Sequence, residues 1–343
     1  MASNQDNSPQ KSTLNVVMGA MTFGPAGIDG ARVSETKDIE AILDVFLKHG
    51  HREVDTARVY CGGAGEAHLG KINWQEKGLL METKLYPYVP KVLTGNEFTG
   101  SHSPEDLRKW LMMSLKALNT DKLEMWYLHG PDRSVPYEVT LKAVNDLYKE
   151  GHFKRFGISN YMAWEVAEIV EICKRFGYIQ PTAYQGLYNA IHRGVEPELF
   201  PCLRKYGISF YEFNPLAGGF FTGRYTSADD EVESGSRFDT AGLQGRNYRK
   251  RYWNDAYFNA LKAVRPVIEK HNLTMAEVAL RWISHHSLMR REHGDSVLIG
   301  ASSLNHIEQN LIDLEKGPLP EEVVKALDEA WFSVKAHASP YYH

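Results

Sequence analysis

Cysteine is scarce in this chain, at 3 of 343 residues. Cys61, Cys173 and Cys202 stand far apart and in no paired-ligand spacing. That argues against a disulfide framework and reads as free thiols in a reducing, cytoplasmic setting. Cys61 follows Tyr60 directly, yet no His–Cys constellation accompanies it, so a thiolate nucleophile is not expected. His285-His286 and Arg291-Glu292-His293 match none of the usual zinc spacings, and no metal site is expected. No apolar run approaches the ~18 residues of a membrane-spanning helix. Positive charge is not in excess: a formal charge of −4 and a pI of about 6.4 give no general attraction to nucleic acid or to anionic membranes. Residues 1–12 are polar, without the basic lead and apolar core of a secretion signal, and read as a disordered tail. No Gly-x-Gly-x-x-Gly follows any strand, which sets aside a Rossmann cofactor site.

What is present is a repeat of strand and helix. Hydrophobic content of 43% and charged content of 24% suit a soluble globular protein with a large core. Asn15–Gly19 reads as a first strand. A helix over 35–49 follows, with Ile39, Ile42, Leu43, Phe46 and Leu47 at helical spacing and Gly50 as its stop. Strands over 53–57 and 79–84 flank a short helix over 66–72. Ser103-Pro104-Glu105-Asp106 is a helix start with a cap, an early proline and acids at the positive end. Strand four is read at Leu123–Leu128, helix four at 137–150, strand five at 155–158 and helix five at 164–176. Strand six is read at 182–185, helix six at 197–206, strand seven at 208–213 and strand eight at 297–299, followed by another helix. Eight such units favour a closed (β/α)8 TIM barrel, one domain over 13–343. Residues 223–253, rich in Gly, Ser, Asp, Arg and Tyr, read as a long loop acting as a lid. An amphipathic helix over 321–332 is extra at the C-terminal side.

Four polar residues fall at or just past the ends of three consecutive strands: Asp55 and Tyr60, Lys84, and His129. In a barrel of this kind the carboxyl ends of the strands carry the chemistry. Lys84 is costly to bury unless paired, and Asp55 one strand over is its natural partner. The ammonium is expected to stabilise the phenolate of Tyr60 and lower its pKa from about 10. Such a phenol can give a proton to a developing alkoxide, with His129 orienting a carbonyl oxygen. The alternative is a structural salt bridge with a bystander Tyr and His. Ser159, Asn160 and Gln185 close strands five and six and suit a planar carboxamide, although Ser and Asn also cap helices. Phe213 offers a stacking face. Gly300-Ala301-Ser302-Ser303 leads into a helix whose N-terminus can receive an anion, and Ser302 and Ser303 there suit a 2′-phosphate. The basic cluster 246–251 is read as part of a lid rather than as a nucleic-acid patch.

Asp55-Thr56-Ala57-x-x-Tyr60 with Gly65-Glu66-x-x-Leu69-Gly70 resembles the aldo-keto reductase signature. Glu82-Thr83-Lys84, Leu128-His129, Gly157-Ile158-Ser159-Asn160, Tyr184-Gln185 and Asn214-Pro215-Leu216-Ala217-Gly218-Gly219 match in order, over roughly 14–343. Further marks, among them Tyr248-Arg249-Lys250-Arg251-Tyr252-Trp253, are similar to the aflatoxin-aldehyde and succinic semialdehyde reductase subfamily. The resemblance implies an NADPH-dependent reductase of aldehydes or ketones, with Tyr60 as acid, Lys84 and Asp55 tuning it and His129 orienting the carbonyl. It implies a cofactor site of Ser159, Asn160, Gln185, Phe213, Asn214, Pro215, Leu216, Gly218, Gly219, Arg224, Arg237, Ser302, Ser303, His306, Gln309 and Asn310. It implies Tyr248 and Arg251 as substrate contacts, and a homodimer. The loop over 223–253 is expected to fold over the cofactor and place both residues at the mouth of the pocket. Phe213 stands where many relatives carry Tyr, and Leu85-Tyr86 and Gly130 alter the pocket wall. Two other readings stay open: a regulatory subunit that senses cofactor on the same barrel, and a biosynthetic reductase dedicated to one larger metabolite.

Overall fold

The computed structural model describes residues 10–87 and 100–343. Its strands are β1 Asn15–Gly19, β2 Glu53–Asp55, β3 Leu80–Leu85, β4 Leu123–Leu128, β5 Phe153–Ser159, β6 Ala183–Leu187, β7 Ser209–Phe213 and β8 Ser296–Gly300. They close in sequence order into an all-parallel barrel. β8 returns to β1 over five pairs, from Asn15↔Ser296 to Gly19↔Gly300. Parallel neighbours need long crossovers, and helices supply them: α1 Thr36–Lys48, α2 Gly65–Leu69, α3 Pro104–Ala117, α4 Tyr137–Lys149, α5 Ala163–Phe176 and α6 Leu199–Tyr206. The start of α3 follows from its sequence, since the Ser103 hydroxyl accepts from Asp106 N at 3.3 Å and Pro104 opens the first turn. The expected eight-stranded barrel is the observed one.

The span between β7 and β8 departs from the simple repeat. Part of the long loop is helical, α7 Leu243–Tyr252, and two further helices follow, α8 Asp255–Lys270 and α9 Met275–His285. Their signals are in the sequence: Asn254 and Thr274 cap them, accepting from Tyr257 N and Glu277 N. α10 Leu304–Leu314 and α11 Glu321–Val334 complete the chain, with α11 packed on α8. Of the expected tail, residues 1–9 lie outside the described residues. Ser12 is buried, its hydroxyl donating to Leu14 O at 2.7 Å.

The main apolar core lies between the strands and the helical ring. Inside the barrel a small cluster of Val17, Met125, Tyr127, Ala183, Tyr211 and Leu298 is joined by charge. Tyr127 OH donates to Glu82 Oε2 at 3.0 Å, Tyr211 OH donates to Glu53 Oε2 at 3.0 Å, and Arg155 Nη1 donates to Tyr211 OH at 3.2 Å. Gly157 makes room for this, because a Cβ there would stand 2.3 Å from the Tyr127 ring. Glu82 precedes Lys84 by two residues, so the polar plug lies one layer beneath it. Burial, then the neighbouring Glu53, pushes the Glu82 carboxyl well above its usual range.

A raised carboxyl carries a linkage consequence. Above the pKa of an unfolded glutamate the native state still holds the proton that the unfolded chain releases, so stability falls as pH rises through that window. Glu82→Gln removes the loss while keeping the shape. The variant should melt a few degrees above the parent at pH 8 and by a smaller margin at pH 5, measured by thermal denaturation. An equal shift at both pH values would mean that Glu82 is ionised in the native state.

Candidate active site

The register of β2 and β3 pairs Asp55 with Glu82, which brings Lys84 alongside the carboxylate. Lys84 is wholly buried and spends its ammonium on Asp55 Oδ1 at 2.7 Å, Asp55 Oδ2 at 2.6 Å and Thr56 O at 2.8 Å. Tyr60 reaches them from a tight turn after β2. That turn is pinned from both sides: Arg58 N donates to Lys84 O at 3.0 Å, and the Arg58 guanidinium pairs with buried Glu66 and Gly63 O. Thr83 Oγ1 donates to Glu66 Oε1 at 2.6 Å, tying the turn to β3. Cys61 holds φ of 51°, a left-handed conformation costly for a side-chain residue. Burial pushes its thiol up to about 11, so it is an inert neighbour of Tyr60.

Lys84 Nζ lies 4.9 Å from the Tyr60 ring centre, and His129 presents its ring edge-on to Tyr60 with centroids 5.9 Å apart. Burial is the largest influence on the Tyr60 phenol and raises its pKa, with Lys84 pulling the other way. The net direction therefore differs from the lowering expected from charge pairing alone, because desolvation of a phenolate outweighs one shared ammonium. Burial works against the charge of Lys84 too, but Asp55 and Tyr60 hold its pKa above the ordinary value. Burial and then Lys84 push His129 well down, so it stands as a neutral imidazole, and its Nδ1 has no partner among the described residues.

The expected cofactor residues divide into those that converge and those that do not. Ser159 and Asn160 meet at the end of β5, with Asn160 Nδ2 donating to Ser159 Oγ at 3.0 Å and to His129 O at 2.8 Å. Gln185 Nε2 donates to Asp55 Oδ1 at 2.9 Å, joining this group to the ion pair. Phe213 packs at the end of β7 against the inner cluster. Asn214 follows in left-handed conformation, its side-chain oxygen accepting from Tyr248 OH at 2.8 Å and its Nδ2 buried without a partner among the described residues. Pro215, Leu216, Gly218 and Gly219 form the turn beyond it, Gly219 N donating to Leu216 O at 2.8 Å. At the start of α10, Ser302 Oγ meets His306 Nδ1 at 2.9 Å and Ser303 caps the helix. Arg237 lies over Gly300 just before them, and Asn310 is buried. By contrast Arg224 is exposed and paired with Glu233 at 2.5 Å, and Gln309 is turned to Asp313 at 3.0 Å.

Tyr248 lies deeper than the mouth position expected of it, 8% exposed and packed over Gly218. The charge of Arg251 acts on a residue that carries no sequence signal, His343. His343 N donates to Asn160 O at 3.1 Å, Arg133 Nη2 donates to His343 O at 3.0 Å, and Tyr86 OH meets His343 Nδ1 at 3.1 Å. Desolvation there, then the Arg251 charge, pushes His343 down to about 4. Gly130 leaves the space for Tyr86, since a Cβ would stand 2.9 Å from its ring. No sequence pattern marks His343, because only the path of residues 338–343 brings it to the rim.

A carboxamide-sized rim of Ser159, Asn160 and Gln185, an aromatic face at Phe213, the unpartnered amide of Asn214 and a cationic arm beyond it together fit a nicotinamide dinucleotide. The family model described as the aldo/keto reductase family matches residues 15–331. The chain belongs to that family. It is an oxidoreductase, and the family generally uses a nicotinamide cofactor. Similar proteins include aldo-keto reductase pigE of Monascus ruber, 48% identical over 97% of this chain and 98% of that protein. The human aldo-keto reductase family 7 member A3 is 42% identical over 95% of this chain and 96% of its own. Human aflatoxin B1 aldehyde reductase member 4 is 40% identical over the same shares. Among the described residues no helix is long and apolar enough to cross a membrane, and no group of three or more His, Cys, Asp or Glu could hold a metal ion.

Gly218 holds φ of 71°, and a Cβ there would fall 2.2 Å from the Tyr248 ring. Gly218→Ala should therefore strain the turn and displace Tyr248 from Asn214, costing about 1–3 kcal/mol in urea unfolding. A variant as stable as the parent would show that the Tyr248 ring does not rest on this turn.

Proposed function

We propose that this protein is an NADPH-dependent reductase of aldehydes and ketones, in which Tyr60 is the general acid. The observation that carries the reading is the buried Lys84–Asp55 pair held against the Tyr60 ring beside a neutral His129. Bound NADPH would supply the hydride to the carbonyl carbon. Ser159, Asn160 and Gln185 would hold its carboxamide, and Phe213 would lie against the ring. His129, uncharged, offers a ring N–H to the carbonyl oxygen. Tyr60, protonated throughout the neutral range, gives its proton to that oxygen as negative charge develops there. Lys84, itself fixed by Asp55, stabilises the phenolate left behind. At the oxygen an O–H bond forms as the O–H bond of Tyr60 breaks. At the carbon a C–H bond would form as the dihydronicotinamide C–H bond breaks and the carbonyl π pair moves to oxygen. Solvent restores the Tyr60 proton between turnovers.

Tyr60→Phe should keep NADPH binding and lose roughly 10²–10⁴-fold in carbonyl turnover. Because Lys84 pulls the phenol pKa down, Lys84→Met should move the alkaline limb of the pH–rate profile to higher pH as well as slowing the reaction. A Tyr60→Phe enzyme keeping more than half the parent rate, with chemistry rate-limiting, would falsify the assignment.

The mouth of the pocket supports a substrate class. His129 and His343 are both held neutral. Arg133 beside His343 is paired with Glu165, whereas Arg251, whose charge acts on His343, makes no salt bridge among the described residues. A planar guanidinium matches a carboxylate. Aldehydes with an acid at the far end, of the succinic semialdehyde type, are the expected substrates. Arg251→Ala should raise KM for such an aldehyde and leave kcat and the constants for a neutral aldehyde nearly unchanged. If both aldehydes lose equally, the charge has no part in recognition.

A further inference from the structure

Arg32, in the loop between β1 and α1, has no role in the reaction as described, yet it is fixed at both root and tip. Arg32 N and Val33 N donate to Thr22 O at 2.8 and 3.1 Å, and Thr22 Oγ1 donates to Ala301 O at 2.8 Å, just past β8. At the other end its guanidinium crosses to the long loop, where Nη2 donates to Gly235 O. Two residues on, Arg237 turns back toward β8. Its Nη2 lies 3.3 Å from where a Cβ on Gly300 would be, and its guanidinium lies 5.6 Å from the Tyr248 ring centre. A ring of contacts thus runs through Ala301, Thr22, Arg32, Gly235, Arg237 and Gly300. It carries two guanidinium groups and closes on Gly300 and Ala301, the two residues before Ser302 and Ser303.

The two cations feel each other. After burial, the charge of Arg237 is the largest influence lowering the pKa of Arg32. The carboxylates of the loop do not come between them. Glu233 pairs with Arg224 at 2.5 Å, and Asp239 accepts from Gly235 N and Ala241 N at 2.7 and 3.0 Å. Both acids act on Arg32 from a distance, but among the described residues neither Arg32 nor Arg237 makes a salt bridge. Like charges held together by backbone contacts disfavour the folded loop unless an anion joins them.

We propose that Arg32, which the family resemblance does not place in the cofactor site, joins Arg237 in binding the 2′-phosphate of the dinucleotide. The inference rests on the cofactor reading given above. A phosphomonoester dianion presents three oxygens and about two charges, which two planar forks can share. A pyrophosphate is the poorer match, because its phosphoryl groups are diesters carrying one charge per phosphorus, whereas two clustered guanidinium groups suit the terminal dianion. Arg32 is half-buried, and its guanidinium reaches the long loop at Gly235.

The test is direct binding rather than turnover. Dissociation constants for NADPH, NADH and adenosine 2′,5′-bisphosphate are measured by fluorescence quenching or calorimetry on the parent, Arg32→Ala and Arg32→Lys. Arg32→Ala should weaken NADPH and the bisphosphate about tenfold, the worth of one charge-assisted hydrogen bond at a half-exposed site. It should leave NADH unchanged, and Arg32→Lys should recover part of the loss. Equal weakening of NADPH and NADH would show that Arg32 only fastens the loop, and no change in either would leave it outside the site; each overturns the proposal. A parent protein that binds neither dinucleotide would overturn the cofactor reading itself.

Discussion

A lysine with no exposed surface is the constraint around which the rim of this barrel is arranged. An ammonium removed from water is sustained only by close opposite charge and by acceptors for its protons. Lys84 finds them on β2, in both oxygens of Asp55 and in Thr56 O. That requirement fixes the register of β2 against β3, since a slip of one residue would turn Asp55 out of the barrel. It also accounts for the arrangement of the turn above. Arg58, Glu66 and Thr83 hold the chain so that Tyr60 meets the ammonium, and Cys61 accepts a left-handed backbone as part of that turn.

The same pair organises the electrostatics of its neighbours. Burial alone makes the Tyr60 phenol a weaker acid and His129 a weaker base, and Lys84 moderates the first and strengthens the second. Two neutral donors therefore face the pocket around one fixed positive charge. Preorganised groups of this kind stabilise charge that develops during reaction without first reorganising. Beneath them, Glu53, Glu82, Arg155 and two tyrosines replace the branched apolar layers that fill many barrels of this type.

Much of this was legible in the sequence, and the limits have physical reasons. The eight strands show because each is a short apolar run ended by turn residues, and Asp55, Tyr60, Lys84 and His129 show because polar residues stand where those runs stop. Helices α8 and α9 were equally readable from Asn254 and Thr274 as caps, and lay outside the simple repeat. The sign of the Tyr60 shift was not readable, since pairing is visible in spacing and desolvation is not. The depth of Tyr248 is not readable either, because it depends on the turn at Gly218 and on Asn214, to which its hydroxyl donates, some thirty residues back in the chain. His343 and Arg32 carry no local signature, and their positions depend on contacts between segments more than 180 residues apart.

The contact between the β1 loop and the long loop has a kinetic meaning. Arg32 is fastened to Gly235, and the same two segments touch again where Asp29 faces Gly242 and Gln244 faces Gly30. Together they form a clasp across one side of the barrel mouth. A dinucleotide lying beneath it could not leave sideways until the clasp parted, and such openings belong to the microsecond-to-millisecond range or slower. Exchange of spent for fresh cofactor would then be in series with every turnover. Carbonyls reduced faster than the loops part would share one ceiling rate set by the loops, whereas slower ones would stay limited by chemistry.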